Sequence, residues 1–180
     1  PLRGVVHAAG VLEDATLREQ SSESLSRVLA PKVSGSWNLR ARLEQAQLDF
    51  FALFSAGATV LGNPGQANYA AANAFMDALA HQLRGRGVPA VSINWGPWAE
   101  VGRAAELPPP ALAQLEERGI ALLPVEQGLR ALEHCLTGDA AQVVAVAARW
   151  DAVGRHYGRW LEPGALPAGA SPAAPGRAAG

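Results

Sequence analysis

Three side chains that can move or hold a proton are spaced so that one fold could bring them together. Tyr69 and Asn73 stand four residues apart in an alanine-rich stretch typical of a helix, which places the phenol and the amide on one face. Lys32 is the only lysine among 15 basic residues, which indicates a need for a compact amine at that position. Chance alone could also leave a single lysine. The alternative for the other two residues is that Tyr69 is an ordinary half-buried helix residue and Asn73 an ordinary surface residue.

Apolar runs alternate with helical patterns along the chain, and this alternation predicts the elements that position these residues. Strands are predicted at 4–10, including a small-residue turn, and at 48–54, 88–95 and 142–147. Helices are predicted at 21–46, from Tyr69 to Gly85, at 111–118 and at 125–136. Pro31 interrupts the first helical pattern, so we expect Lys32 to lie beside a bend. The order of elements predicts an α/β fold, a Rossmann-like parallel sheet with flanking helices.

The carboxyl ends of parallel strands meet at one edge of a sheet, and ligands bind beyond that edge. Gly10, Ser55 and Trp95 fall at three such ends, so three stretches should converge there. The small residues at 8–10 let a flat ligand lie against the backbone, although a plain tight turn explains them equally well. The longer irregular segment 101–110 is of the kind that covers a bound substrate.

The composition argues against several classes of function. A net charge of −1 without a basic block argues against a nucleic-acid or membrane-surface partner. No apolar run approaches the roughly 20 residues of a membrane span and no signal peptide heads the chain, so a cytoplasmic location is expected. The four histidines lack metal-ligand spacing, so no metal is expected, and the single Cys135 is predicted to pack in a helix.

The chain is predicted to contain one folded region, 1–150, followed by a disordered linker tail, 151–180. From Pro163 onward the sequence is almost wholly Pro, Ala, Gly and Ser, which cannot bury enough surface to order itself. The first residues already have the pattern of a buried strand, so we expect the chain to be a piece of a longer protein with neighbouring domains.

Four short motifs follow one another in unbroken order over roughly residues 1–150. They are His7-Ala8-Ala9-Gly10, Leu29-Ala30-Pro31-Lys32-Val33, the run 62–73, and Asn94-Trp95-Gly96-Pro97-Trp98. Together they resemble the C-terminal part of the ketoreductase domain of modular type I polyketide synthases, within the short-chain dehydrogenase/reductase superfamily. The resemblance implies NADPH-dependent reduction of the 3-keto group of an acyl chain, which phosphopantetheine tethers to an acyl carrier protein.

The resemblance also implies roles for individual residues. Tyr69 matches the family's proton donor, Lys32 the lysine of the preceding helix, and Asn73 the helix amide. Cofactor contacts are implied at His7, Ala8, Ala9, Gly10, Gly96 and Pro97. Substrate contacts are implied at Asp14, Ser55, Pro64, Gln66, Asn68 and Trp98. These residue types fit the chemistry, because hydride addition to a ketone builds negative charge on oxygen that a phenol neutralises, while an ammonium stabilises the phenolate.

Two features depart from the family pattern. The family serine lies 13 positions before the tyrosine, where this chain has Ala56, and the adjacent Ser55 is expected to face the other side of its strand. Loss of one such donor typically slows a reaction about 10²- to 10³-fold, so a degenerate, non-catalytic domain is the alternative. The family's N-terminal strands and glycine-rich turn do not occur in these 180 residues, so this chain alone is not expected to bind NADPH tightly.

The residues before the tyrosine resemble the B type of the family, which the resemblance links to a 3R hydroxyl. That class carries a Leu-Asp-Asp triplet, here Leu12, Glu13 and Asp14, and a Pro and an Asn before the tyrosine, here Pro64 and Asn68. The other class carries a Trp eight positions before the tyrosine, where this chain has a leucine, Leu61. A merely polar loop at 12–14 is the alternative.

Overall fold

A parallel sheet covered by helices forms the first of two units into which the chain divides. The structure is a computed structural model, and it describes residues 1–44 and 46–158. The first unit comprises residues 1–95 and 126–145. The second comprises residues 96–125 and, within the described ranges, residues 146–158.

The four strands of the first unit all run in the same direction. The strands of the chain are Gly4–His7 (β1), Phe50–Ala56 (β2), Ala90–Trp95 (β3), Ile120–Ala121 (β4), Gln142–Ala145 (β5) and Ala147–Ala148 (β6). The parallel sheet has the order β1, β2, β3, β5. His7 is paired with Leu53, and Trp95 is paired with both Ala56 and Ala145. The carboxyl ends of these strands therefore lie at one edge, and the predicted α/β fold with a parallel sheet is confirmed.

The helices agree with the predicted pattern within a few residues. They are Ser22–Leu29 (α1), Gly35–Arg42 (α2), Ala58–Leu61 (α3), Ala67–Arg84 (α4), Pro109–Glu117 (α5), Val125–Thr137 (α6) and Trp150–Tyr157 (α7), with a 3₁₀ turn at Arg103–Glu106. The side chain of Ser21 caps α1 by accepting a hydrogen bond from the Ser24 amide at 3.0 Å. Cys135 is buried on α6, as predicted.

The predicted bend at Pro31 is a π-helical turn, Ala30–Ser34, between α1 and α2. The amide of Gly35 donates to the carbonyl oxygens of Ala30 and Lys32, whereas in a regular α-helix it would donate to that of Pro31. This turn carries Lys32 and points it into the unit, where the residue is only 2% exposed.

The apolar face of α4 packs against the sheet and fixes how the helix is rotated. Its core-facing residues recur at helical spacing and contact buried side chains of β2 and β3. The members of this core are Phe51, Leu53, Met76, Leu79, Ala80, Leu83 and Ala90. Since α4 also carries Tyr69 and Asn73, the same packing determines where these two side chains point.

The second unit contains a short antiparallel pair of strands, β4 and β6, together with α5 and α7. Gly119 precedes β4 with a φ of 81°, and a Cβ there would lie 2.8 Å from the carbonyl oxygen of Arg149. Helix α7 buries Val153 and Tyr157, so residues 151–157 of the predicted tail are folded. The physical reason is that α7 is amphipathic and buries one face, which a disordered linker would not do. The rest of the predicted tail, 159–180, lies outside the described residues.

Strand β1 is partly open to solvent. Val6 is 48% exposed, so β1 is not the fully buried strand that its sequence predicts. No helix in the described part of the chain is both long and apolar enough to cross a membrane.

Candidate active site

The amine of Lys32 is held at the carboxyl end of β2. Its Nζ donates a hydrogen bond to the carbonyl oxygen of Phe54 at 2.7 Å. Burial lowers the pKa of Lys32 from its ordinary 10.5 to about 8, and the carboxylate of Asp77 acts in the opposite direction. The buried Lys32 amine thus loses its proton more readily than an exposed lysine does.

Tyr69 and Asn73 lie on the turn of α4 that approaches this amine. The Lys32 Nζ lies 5.9 Å from the centre of the Tyr69 ring. Asn73 is completely buried, and its Nδ2 donates to the backbone carbonyl of Tyr69 at 2.8 Å. Within residues 1–44 and 46–158 the Asn73 Oδ1 has no hydrogen-bond partner. The structure therefore places the Tyr69 ring near the Lys32 amine and Asn73 one turn further along α4, and it leaves one buried acceptor open.

The small residues after β1 pass close to Lys32. Ala8, Ala9 and Gly10 are exposed, and a Cβ added at Gly10 would lie 3.0 Å from Lys32 Cε and 3.4 Å from its Nζ. A side chain at position 10 would therefore require the end of the Lys32 side chain to shift by a few tenths of an ångström. A flat ring such as nicotinamide could lie against this exposed segment, whose side chains are no larger than a methyl group.

His7 has a different environment from the three residues that follow it. It is 7% exposed, and its Nε2 lies 2.9 Å from the carbonyl oxygen of Pro31. Burial lowers the pKa of His7, the bond to Pro31 raises it, and the charge of Lys32 lowers it further. The imidazole is turned into the unit toward the π-helical turn, so the cofactor contact implied at His7 does not fit its side chain.

A buried polar network lies beside the Lys32 amine, between α4 and the ends of β2 and β3. The Asp77 carboxylate accepts from Ser92 Oγ at 2.6 Å and from Asn94 Nδ2 at 3.0 Å. The Asn94 amide also lies 2.6 Å from Thr59 Oγ1 and 2.9 Å from Ser55 Oγ. These groups are largely withdrawn from water, which explains why each has a partner.

The hydrogen bond from Asn94 holds the Ser55 side chain inward at the end of β2, where Ala56 is the next residue. Ser55 is 4% exposed and its hydroxyl accepts from Asn94, so the substrate contact implied at Ser55 does not fit the geometry. Alternation along the strand gives the physical reason, because Ser55 and Ala56 point to opposite faces. The position of the family serine therefore carries only the methyl group of Ala56.

Hydrogen bonds join the loop after β1 to the segment before Tyr69. The amide of Gln66 donates to the Asp14 carboxylate at 3.0 Å, and the amide of Asn68 donates to the Glu13 carbonyl at 2.8 Å. Asn68 is 3% exposed, so its side chain positions this loop, and the implied substrate contact does not fit it. Asp14 and Pro64 are exposed and Gln66 is partly exposed, so these side chains remain open to a ligand.

Gly96, Pro97 and Trp98 belong to the second unit and directly follow β3 in sequence. The amide of Leu123 donates to the carbonyl oxygen of Pro97 at 2.7 Å, and Trp98 forms a bridge with Leu123. A Cβ at Gly96 would lie 3.1 Å from Val146 Cγ1, so a larger residue there would crowd Val146. Their implied roles toward cofactor and substrate remain predictions.

Sequence reasoning missed two residues of the site. Asp77 lies four residues after Asn73 on α4, and extending the spacing of Tyr69 and Asn73 by one turn would have found it. Asn94 lies within a quoted motif, but its role depends on the register between β2 and β3. In the described ranges, no group of three or more His, Cys, Asp and Glu side chains is arranged to hold a metal ion.

Comparison with known proteins identifies the family. The family model described as the KR domain matches residues 1–100. The chain is 44% identical over 138 residues to a phenolphthiocerol/phthiocerol polyketide synthase protein of Mycobacterium tuberculosis, covering 77% of this chain and 6% of that protein. It is 44% identical over 156 residues to the polyketide synthase GfsE of Streptomyces halstedii, covering 86% and 4%. The solved A-type ketoreductases from a modular polyketide synthase match with a TM-score of 0.83 and 34% identity, covering 92% of this chain and 35% of that one.

The chain belongs to the ketoreductase domain family of polyketide synthases, and the resemblance stated from its motifs is confirmed. It spans about one twentieth of the curated relatives named above and about one third of the solved ketoreductase chain. Ketoreductase domains are oxidoreductases that bind nicotinamide cofactors.

Proposed function

We propose that this chain is the catalytic part of a ketoreductase domain that reduces a 3-ketoacyl group to the 3-hydroxyacyl group during polyketide chain extension. The observation that carries the proposal is the meeting of three side chains of the right chemistry. The Lys32 amine, 2% exposed, lies 5.9 Å from the Tyr69 ring centre, and Asn73 sits one turn further along the same helix. Core residues of α4 hold this arrangement without substrate.

Each residue has a distinct task in this reaction. NADPH, when bound, supplies a hydride to the carbonyl carbon. The carbonyl oxygen gains negative charge, and the Tyr69 hydroxyl gives it a proton, so that the C=O bond becomes C–OH. The Lys32 ammonium stabilises the phenolate that remains. The open Oδ1 of Asn73 accepts a hydrogen bond from a water or an amine that returns a proton to Tyr69.

The substrate and partner are proposed from the family. We take the substrate to be a 3-ketoacyl chain on the phosphopantetheine of an acyl carrier protein, with other domains of the same polypeptide as neighbours. Polyketide synthases, which the chain matches, are much longer than this chain, which supports neighbouring domains.

The stereochemical outcome is proposed to be that of the B type. Asp14 is hydrogen bonded to Gln66, and the backbone of Glu13 is hydrogen bonded to Asn68, so the triplet loop is fixed against the segment that precedes Tyr69. The Glu13 carboxylate instead pairs with Arg27 of α1 at 2.6 Å. One of the similar solved structures is named as A-type. That name describes the other protein and does not bear on the type of this chain, because ketoreductases of different types share the fold.

The alternative is a degenerate domain that is retained as a scaffold, and Ala56 is the observation that favours it. The missing hydroxyl would have donated to the substrate carbonyl. Its loss predicts a slow reaction, about 10²- to 10³-fold below that of a serine-containing enzyme. The rest of the site, including Tyr69, Lys32 and Asn73, is intact, which favours slow catalysis over none.

The test compares the full-length protein with its Ala56→Ser variant on a small 3-ketoacyl thioester with NADPH. Chiral chromatography of the product measures both rate and configuration. We expect a slow 3R-specific reduction by the wild type and a faster one by Ala56→Ser. No product from either protein would establish the scaffold alternative, and a 3S product would overturn the B-type assignment.

A further inference from the structure

The imidazole of His7 replaces a helical hydrogen bond in the turn that carries Lys32. In a regular α-helix the amide of Gly35 would donate to the Pro31 carbonyl. Here that amide donates to Ala30 and Lys32, and the His7 Nε2 lies 2.9 Å from the Pro31 oxygen. A carbonyl oxygen can only accept, so the Nε2 of His7 carries the hydrogen and donates it.

Two contacts and one sequence neighbour place this bond next to the Lys32 amine. The His7 ring packs against Gly35, where an added Cβ would lie 3.4 Å from its Nε2. Pro31, which accepts the bond, directly precedes Lys32. Three residues after His7, the Gly10 backbone lies against Lys32 Cε. The segment 7–10 therefore contacts both the backbone of the π-helical turn, through His7, and the side chain of Lys32, through Gly10.

We propose that His7 is a positioning residue, whose bond to the Pro31 carbonyl holds the π-helical turn in the register that delivers the Lys32 amine to the Phe54 carbonyl. π-Helical turns often occur at functional sites because they redirect one side chain. Without His7, the Gly35 amide is free to form the regular bond to Pro31. The turn then changes register, and Lys32 leaves its buried position.

The inference rests on the proposed function, because Lys32 matters through the reaction it serves, yet it can be measured without any reaction. Lys32 is the only lysine of the chain, so acylation by acetic anhydride followed by mass spectrometry of the tryptic peptide 28–40 reports on this amine alone. The pH midpoint of acylation measures its pKa. In the described part of the chain, the titratable groups that face it are Asp77 and Tyr69 of α4 and His7 of β1.

Four variants of the full-length protein make the comparison. His7→Leu removes the donor. His7→Gln keeps an amide donor at about the reach of Nε2, and His7→Asn carries the same amide one carbon shorter. His81→Leu is the matched control, because His81 is an exposed residue of α4 that contacts Gln142 and not Lys32. The Asn and Gln pair keeps the test available if His7→Leu does not fold.

In the wild type, His7→Gln and His81→Leu, we expect an acylation midpoint near 8. In His7→Leu and His7→Asn it should rise by roughly one unit or more toward the ~10.4 of a solvated lysine. Equal midpoints in wild type and in the folded His7 variants would overturn the proposal, and so would the same rise in His81→Leu. A wild type without reductase activity would contradict the proposed function but leave this comparison intact.

Discussion

The Lys32 Nζ donates to the backbone carbonyl of Phe54, two residues before Ala56, and so the amine is fixed to the strand that ends at the site. A backbone acceptor moves less than a side chain, so the position of the charge is set by the sheet. Because the residue is 2% exposed, its field is also screened less than that of a surface lysine. The positive charge beside Tyr69 is therefore in place before any substrate arrives.

This geometry predicts how the rate of reduction depends on pH. The pKa of Lys32 is lowered to about 8, and only the protonated amine stabilises a phenolate. Initial rates should therefore fall as the pH rises through about 8. In Lys32→Met this fall in rate should be absent, and the residual rate at neutral pH should be much lower than that of the wild type. Stopped-flow rates between pH 6.5 and 9.5 give the profile. A wild-type rate that stays constant up to pH 9.5 would contradict this role of the amine.

The same shift predicts how folding stability depends on pH. The pKa of Lys32 is lower in the folded protein, about 8, than its ordinary 10.5, so the unfolded chain binds more protons between these values. The contribution of Lys32 to the free energy of unfolding is thus fully present above 10.5 and is lost as the pH falls through about 8. Relative to Lys32→Met, the wild type should gain up to about 1.4 kcal/mol per pH unit in this window.

Urea unfolding of both proteins at pH 7, 8.5 and 10 measures this difference. Other groups that titrate in the same range are shared by the two proteins and cancel. A difference that does not change with pH would mean that the Lys32 amine is solvated in the folded protein.

The fold and the placement of Tyr69 and Asn73 on one helix could be predicted because they depend on periodicity and spacing. Helical spacing puts Tyr69 and Asn73 on one face, and parallel strands put their ends at one edge. The bend at Pro31 was predicted, but a proline does not indicate whether a kink or a π-helical turn results. Helix α7 was not predicted: the Pro-, Ala- and Gly-rich composition that indicates a linker begins only at Pro163, whereas the predicted tail begins at residue 151.

The partners of the site residues could not be predicted from sequence. The Phe54 carbonyl that holds Lys32 is a backbone group, and any residue type supplies one. The inward turn of His7 and the contact between Ser55 and Asn94 depend on strand register, which a short strand pattern leaves open. The resemblance implies ligand contacts at His7, Ser55 and Asn68, whereas the structure uses their side chains within the protein.

The polar network predicts that Asn94 is important for stability. Asn94 is completely buried, donates to the Asp77 carboxylate and accepts from Gln142 Nε2 at 2.9 Å. Asn94→Ala would leave both partners without this bond, so the free energy of unfolding should fall by about 2–4 kcal/mol. Asn38→Ala, at an exposed position of α2, is the control and should change it by less than about 0.5 kcal/mol. Equal losses in the two variants, measured by urea unfolding, would mean that the network does not support the fold.

The most direct test of the account is the rate at which the full-length protein oxidises NADPH in the presence of a 3-ketoacyl thioester, compared between wild type and Tyr69→Phe. The phenylalanine keeps the ring beside Lys32 and removes only the hydroxyl. If Tyr69 gives the proton, the wild type should show thioester-dependent oxidation and the variant should be slower by at least about 100-fold. Rates within twofold of each other would contradict the central claim.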